Sequence, residues 1–167
     1  MQNIKKISTL LILIFVIATS YSQQKKDFNG WEFLNWKMSK DNVEKVLIEN
    51  KNNLSSPTAL DANFKYKELN TWLFYNSNNQ LAKVHQRKVF SVNQSNESEK
   101  FFTKTKAEFI NDYGNPSKNE INKKDSLIIM LWELKYTKIV FEYNYKYKII
   151  DEFGADSYWV DILFEIK

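Results

Sequence analysis

The stretch that most limits what this chain can become runs from Asn96 to Pro116, NESEKFFTKTKAEFINDYGNP. Asn96 can cap a first turn through its side-chain oxygen, and Glu99, three residues on, can close a capping box. Glu97 and Glu99 put negative charge at the positive end of the helix dipole. Phe102, Thr105, Phe109 and Tyr113 recur at spacings of three and four, and Phe101 and Ile110 widen the stripe. Gly114 suits a left-handed helix end, and Pro116 forbids continuation. The spacing predicts a helix of about 17 residues, roughly 25 Å long at ~1.5 Å per residue. A helix with one aromatic face needs a sheet to cover, and strand-like segments flank it on both sides.

The chain opens with Lys5 and Lys6, then an apolar run from Leu10 to Ala18, then Ser20-Tyr21-Ser22. A basic start, a short apolar middle and small residues at the end describe a secretory signal over 1–22. The alternative, a retained anchor, fits less well, because the run is short and Lys25-Lys26-Asp27 follow it closely. A single domain is expected over 23–167, in the periplasm or outside the cell, with no membrane span after cleavage. The chain has no cysteine, so a lipid-bearing thiol and disulfides are both ruled out and the core must hold the domain together. Removing Lys5 and Lys6 takes the formal charge from +4 to +2, and Arg87 is the only arginine. That slight, lysine-dominated excess argues against a nucleic-acid reader.

Gly30 to Trp36 is a short apolar segment anchored by Trp31, Phe33 and Trp36. Ser39 caps a second helix with Asp41 in its first turn, and Met38 can pack on Val43 as a staple. Val43, Val46 and Leu47 form its buried stripe. Lys51 to Ala62, with Pro57, reads as a loop. Three strands are expected over 64–69, 71–76 and 81–90, the last two joined by the polar turn Ser77 to Gln80. Plain alternation puts Lys83, His85 and Arg87 on one face with Leu81 and Val89. After Pro116 a polar loop is expected as far as Asp125, then strands over 127–136, 139–147 and 158–166, with a loop over 151–156. Ile139, Phe141, Tyr143, Tyr145 and Tyr147 alternate with Lys138, Val140, Glu142, Asn144 and Lys146, so one face of an antiparallel sheet should meet water. The order helix, three strands, helix, three strands points to a tandem duplication with halves at 31–90 and 95–167. The expected fold is α+β, with two amphipathic helices packed on one face of an antiparallel sheet.

Trp36-Lys37-Met38-Ser39, followed by Val43, resembles the W-G-M-S type motif that starts the first helix of some small secreted bacterial domains. These are the outer-membrane-assembly lipoproteins of the SmpA/BamE type and the beta-lactamase-inhibitor-like proteins. Tyr113-Gly114-Asn115-Pro116 is similar to the Gly-x-Pro that closes helices in those families. Lys37 stands where they carry glycine, and the lipid-accepting cysteine is missing. The resemblance implies a helix-plus-sheet domain that binds other proteins through its sheet or loops.

His85 is the only histidine, so histidine pairs are impossible and a zinc centre would rest mostly on carboxylates, which suit that metal poorly. Asp151, Glu152 and Asp156 around Gly154 could meet calcium, but their spacing fits no standard loop and a solvated turn is the simpler account. No pair of carboxylates stands out, and three glycines leave no phosphate-cradling loop. No catalytic residue, metal or cofactor is expected. The rings of Tyr143, Tyr145, Tyr147, Trp132 and Trp159 either fill the core or line an exposed platform. The candidate binding surface comprises Tyr143, Tyr145, Tyr147 and Trp159, together with the strand face of Lys83, His85 and Arg87. The expected function is a non-enzymatic module that binds a protein in the cell envelope. A small secreted hydrolase and a carbohydrate-binding accessory protein are the alternatives.

Overall fold

A computed structural model describes residues 28–50, 52, 63–149 and 156–167. The signal expected at 1–22, most of the loop at 51–62 and the acidic turn at 151–155 lie outside the described residues. The described chain begins with a small hairpin, β1 (Gly30–Trp31) and β2 (Leu34–Asn35), followed by α1 (Lys40–Glu49). Then β3 (Asn63–Tyr66), β4 (Leu69–Tyr75) and β5 (Leu81–Ser91) form one antiparallel meander. A single 3-10 turn, Val92–Gln94, leads into α2 (Ser95–Tyr113). A second meander follows: β6 (Lys118–Asn122), β7 (Leu127–Glu133), β8 (Thr137–Ile149) and β9 (Asp156–Ile166). The two meanders join along β5 and β9, giving one seven-stranded sheet in the order β3-β4-β5-β9-β8-β7-β6.

The α+β character and the antiparallel sheet are as expected, but the repeating order of helix and three strands is not. The hairpin β1–β2 forms a second, two-stranded sheet, and the halves of the large sheet carry three and four strands. The extra strand is β6, in the segment after Pro116 that composition marks as a polar loop. Only one residue of its KNEIN sequence is apolar, and all but the last are exposed. Its backbone ladder with β7 makes it a strand, and charged side chains suit an edge. Equal halves, and with them the tandem duplication, fall away.

Burial explains the rest of the architecture. Phe102 of α2 stacks on Tyr143 with centroids 4.4 Å apart, and Phe109 meets Trp132, Phe141 and Phe164. In register with Ile139, Phe141 and Tyr143 of β8 stand Phe164, Ile162 and Val160 of β9. Val84 and Gln86 of β5 continue those rows. The N-terminal hairpin packs Trp31 against Phe64 and Tyr66, which belong to the same side of the sheet. Val43 and Leu47 of α1 enter this cluster too. Trp36 Nε1 donates to Thr137 Oγ1 at 2.8 Å, and that hydroxyl donates to the Phe28 carbonyl at 2.9 Å, pinning the start of the described chain to β8.

The helix ends obey capping chemistry, though one start is displaced. Ser39 caps α1 by accepting from the Asn42 N–H. At α2, however, Asn96 lies inside the helix, and the reciprocal capping box is made by Ser91 and Gln94. Gly114 closes α2 at φ 77° and ψ −170°, a region that in practice only glycine occupies. Its N–H bonds to Ile110, and its carbonyl receives Trp132 Nε1 at 2.7 Å.

Candidate functional site

Strand alternation sends Val84 and Gln86 toward α2 and turns Lys83, His85 and Arg87 to the opposite face. Leu81 does not join them, contrary to plain alternation. The register shifts between Phe74, which faces Lys83, and Tyr75, which faces Leu81. The extra residue of that bulge returns Leu81 to the core, where it is fully buried. Among the described residues, the ring contacts of the hairpin and of α2 all fall on the covered side of the sheet. The opposite face, with Lys83, His85 and Arg87 only partly buried, carries neither the hairpin nor α2 among the described residues and is termed the open face.

Three rows cross that open face. The first runs Asn70–Arg87–Asp161–Glu142–Ile129, and the second Trp72–His85–Leu163–Val140–Leu131. The third runs Phe74–Lys83–Glu165–Lys138–Glu133. At the centre, Arg87 Nε lies 2.6 Å from Asp161 Oδ1 while its Nη2 meets Oδ2, a two-pronged grip. His85 Nε2 lies 3.1 Å from the same Oδ1.

Burial alone would raise the Asp161 pKa. Hydrogen bonds from Arg87 and His85, helped by their charges, outweigh it and hold the carboxyl below its ordinary value. An ionised carboxylate only accepts hydrogen bonds, so His85 donates through Nε2. Glu142 is shifted the other way, first by burial and then by the negative charge of Asp161, against the pull of Arg87 and His85. Two carboxyls that are direct neighbours across β8 and β9 are thus pushed apart in acidity. The three rows hold three cations, Lys83, Arg87 and Lys138, and four carboxylates, Glu133, Glu142, Asp161 and Glu165. Arg87 is spent on Asp161, and the third row alternates in sign, so Glu142 is the unmatched charge.

Two tryptophans border the cluster. The Trp72 ring lies 5.3 Å from His85, and Arg87 sits 5.5 Å over Trp159. A shallow cavity of about 220 Å³ opens between Lys83, His85, Val140, Glu142, Asp161 and Leu163.

The sequence-derived surface divides between the two sides of the sheet. Lys83, His85, Arg87 and Trp159 share the open face. Tyr143 is buried under α2, with its hydroxyl 3.1 Å from Ser98 Oγ. Tyr145 is half-buried and lines a separate groove with Ser95, Glu99 and Tyr158 at the start of α2. Tyr147 lies in β8, but its side chain is outside the described set. Alternation missed Asp161, Glu142 and Trp72. One signal was available: Asp161 interrupts the apolar run Tyr158-Trp159-Val160-Asp161-Ile162-Leu163-Phe164, and an acid there needs a partner.

Comparison with family models, with curated proteins and with solved structures gives no match. No helix among the described residues is long and apolar enough to cross a membrane.

Proposed function

We propose that this chain is a secreted or periplasmic, non-enzymatic binding module that takes a protein partner on the open face of its sheet. One observation carries the reading. Half-buried Ile129, Leu131, Val140 and Leu163 surround a charge cluster balanced internally except for Glu142. A sheet face left to water normally alternates to polar residues, whereas β7 is apolar on both faces over Leu127 to Trp132. Such a surface suits a partner that brings apolar side chains and one basic group to meet Glu142.

The same geometry ranks the alternatives. Both Asp161 oxygens are engaged by Arg87 and His85, which favours a structural role for that carboxylate over a hydrolytic one. His85 and Arg87 already lie against Trp72 and Trp159, which favours a protein surface over an open stacking platform for sugars. Export rests on the N-terminal segment, and the likeness to SmpA/BamE-type domains rests on its short motifs. Lys37 has φ 67°, a conformation in which the glycine of that motif is unstrained.

The test is crosslinking from a tagged full chain in its native host, comparing wild type with Val140→Glu, Leu131→Glu and the helix-side control Lys104→Glu. A protein held by wild type and the control but lost with both open-face variants supports the reading. A partner retained by the open-face variants, or lost only with Lys104→Glu, would move the interface to the helical side.

A further inference from the structure

A second cavity, of about 300 Å³, lies on the covered side of the sheet, between α2 and the β3–β4 hairpin. That volume is at the lower bound of ordinary small-molecule pockets. Its walls are Leu69, Phe101, Phe109, Ile162 and Phe164. Three polar side chains also line it, each at least nine-tenths buried: Gln86, Thr105 and Tyr113, at 4%, 7% and 9% exposure.

The hydrogen-bond inventory of these three is unusual. Gln86 spends an amide N–H on Thr71 Oγ1 at 3.1 Å, and that hydroxyl goes on to the Leu69 carbonyl at 3.2 Å. This chain anchors the Gln86 amide, and among the described residues its carbonyl oxygen has no protein partner. The Thr105 and Tyr113 hydroxyls have none either. None of these oxygens is sealed from the cavity, since the buried atoms without a partner are Trp31 Nε1 and Asn144 Nδ2 alone among the described residues. Buried polar groups are as a rule satisfied, so an acceptor and two hydroxyls gathered in an aromatic cleft mark a place built to be filled.

The mouth adds a charge criterion. Four carboxylates, Glu32, Glu68, Glu108 and Asp112, face two ammonium groups, Lys67 and Lys104. Lys67 and Lys104 are already paired with Glu32 and Glu108, and Glu68 is held by Lys88 from outside the lining, so an incoming anion would have to compete with a carboxylate for either lysine of the mouth.

We infer that this cleft binds a small, uncharged molecule with an apolar body and an amide or hydroxyl group. The body lies between Phe101 and Phe109, the Gln86 carbonyl accepts the ligand's N–H or O–H, and Thr105 and Tyr113 donate to its oxygen. The site is independent of the open sheet face, so neither proposal stands or falls with the other.

The experiment is NMR titration of the folded full chain with 2-phenylacetamide, and with phenylacetate as its anionic match. Phenylacetamide should shift the amide signals of Gln86, Thr105 and Tyr113, and phenylacetate should bind at least about ten-fold more weakly. Gln86→Met keeps the length and removes the carbonyl, and Thr105→Val keeps the shape and removes the hydroxyl. Each should weaken phenylacetamide about ten-fold, the scale of one hydrogen bond to a neutral ligand group. The second variant serves if the first fails to fold. Three results would each overturn the assignment: equal binding of the two probes, wild-type affinity in folded Thr105→Val, or no shifts at saturating probe, which would make the cleft a hydration site.

Discussion

Arg87 and Asp161, 74 residues apart in the chain, stand directly opposite one another on β5 and β9 and share a two-pronged hydrogen bond. They sit on the seam that joins the two meanders, so the pair fastens the halves of the sheet together. Asp161→Asn should cost about 2 kcal/mol in urea unfolding, because it strips the counter-charge from a partly buried guanidinium. Arg87→Leu combined with Asp161→Leu should recover most of that loss, since the open face then gains two aliphatic neighbours. A single-variant cost near zero would mean that solvent screens the pair as it does on an ordinary surface. The pH dependence has a definite sign. The folded pKa of Asp161 is depressed, so its contribution is present above the ordinary carboxylate range and fades as pH falls through the folded value. Wild type and Asp161→Asn should therefore converge in acid.

Glu142 behaves in the opposite way. Its folded pKa is raised by burial and by Asp161. The fold therefore favours it protonated, and that advantage disappears as pH rises through the folded value. Glu142→Gln should stabilise the chain by ~0.5 kcal/mol at neutral pH, the scale of surface-charge optimisation, and make little difference in acid. The same variant should weaken crosslinking to a partner. Stability and binding would then move in opposite directions, whereas a plain surface carboxylate would change neither.

The β3–β4 turn is built from unsuited residues. Lys67 and Glu68 form a two-residue loop with φ of 47° and 68°, the backbone signs of a primed hairpin turn that favours Asn-Gly. Their ion pairs with Glu32 and Lys88 involve largely exposed side chains of Lys67 and Glu68 and offset little of the strain. Lys67→Asn with Glu68→Gly should raise stability by about 1 kcal/mol. Lys37→Gly, at φ 67°, should add a smaller gain of about 0.5 kcal/mol, because glycine also loosens the unfolded chain. Thermal unfolding of each variant checks both numbers, and a loss at either site would mean that the native side chain contributes more than its backbone costs.

Much of the fold was legible because burial imposes a period that residues declare locally. Phe102, Thr105, Phe109 and Tyr113 marked the buried side of α2, and Ile139, Phe141 and Tyr143 marked the covered side of β8. Pairing partners were less legible, since a ladder hydrogen bond is made by backbone that every sequence possesses. That is why polar β6 read as a loop, and why the β5–β9 seam left no trace in composition. Bulges are likewise silent, and a single one moved Leu81 across the sheet. The candidate site was half visible: Lys83, His85 and Arg87 were found by alternation, but their meaning depends on Asp161 and Glu142, which only the closed sheet brings alongside.

The start of α2 gives the clearest contest between local sequence and the folded chain. Asn96 with Glu99 satisfies the capping pattern as well as any pair in the stretch, yet Ser91 and Gln94 make the reciprocal bonds. The reason lies in β5, which delivers the chain to Ser91 in extended conformation, φ −68° and ψ 165°, as an N-cap requires. The 3-10 turn then begins at Val92, so by Asn96 the backbone is already helical and its amide needs no cap. Ser91→Ala should therefore destabilise the chain by about 1 kcal/mol, the usual value of a lost cap. Asn96→Ala should be neutral or slightly stabilising, because alanine is the better helix former at an exposed position. Urea unfolding of the two variants side by side decides it, and a larger cost at Asn96 than at Ser91 would place the helix start where the sequence pattern alone puts it.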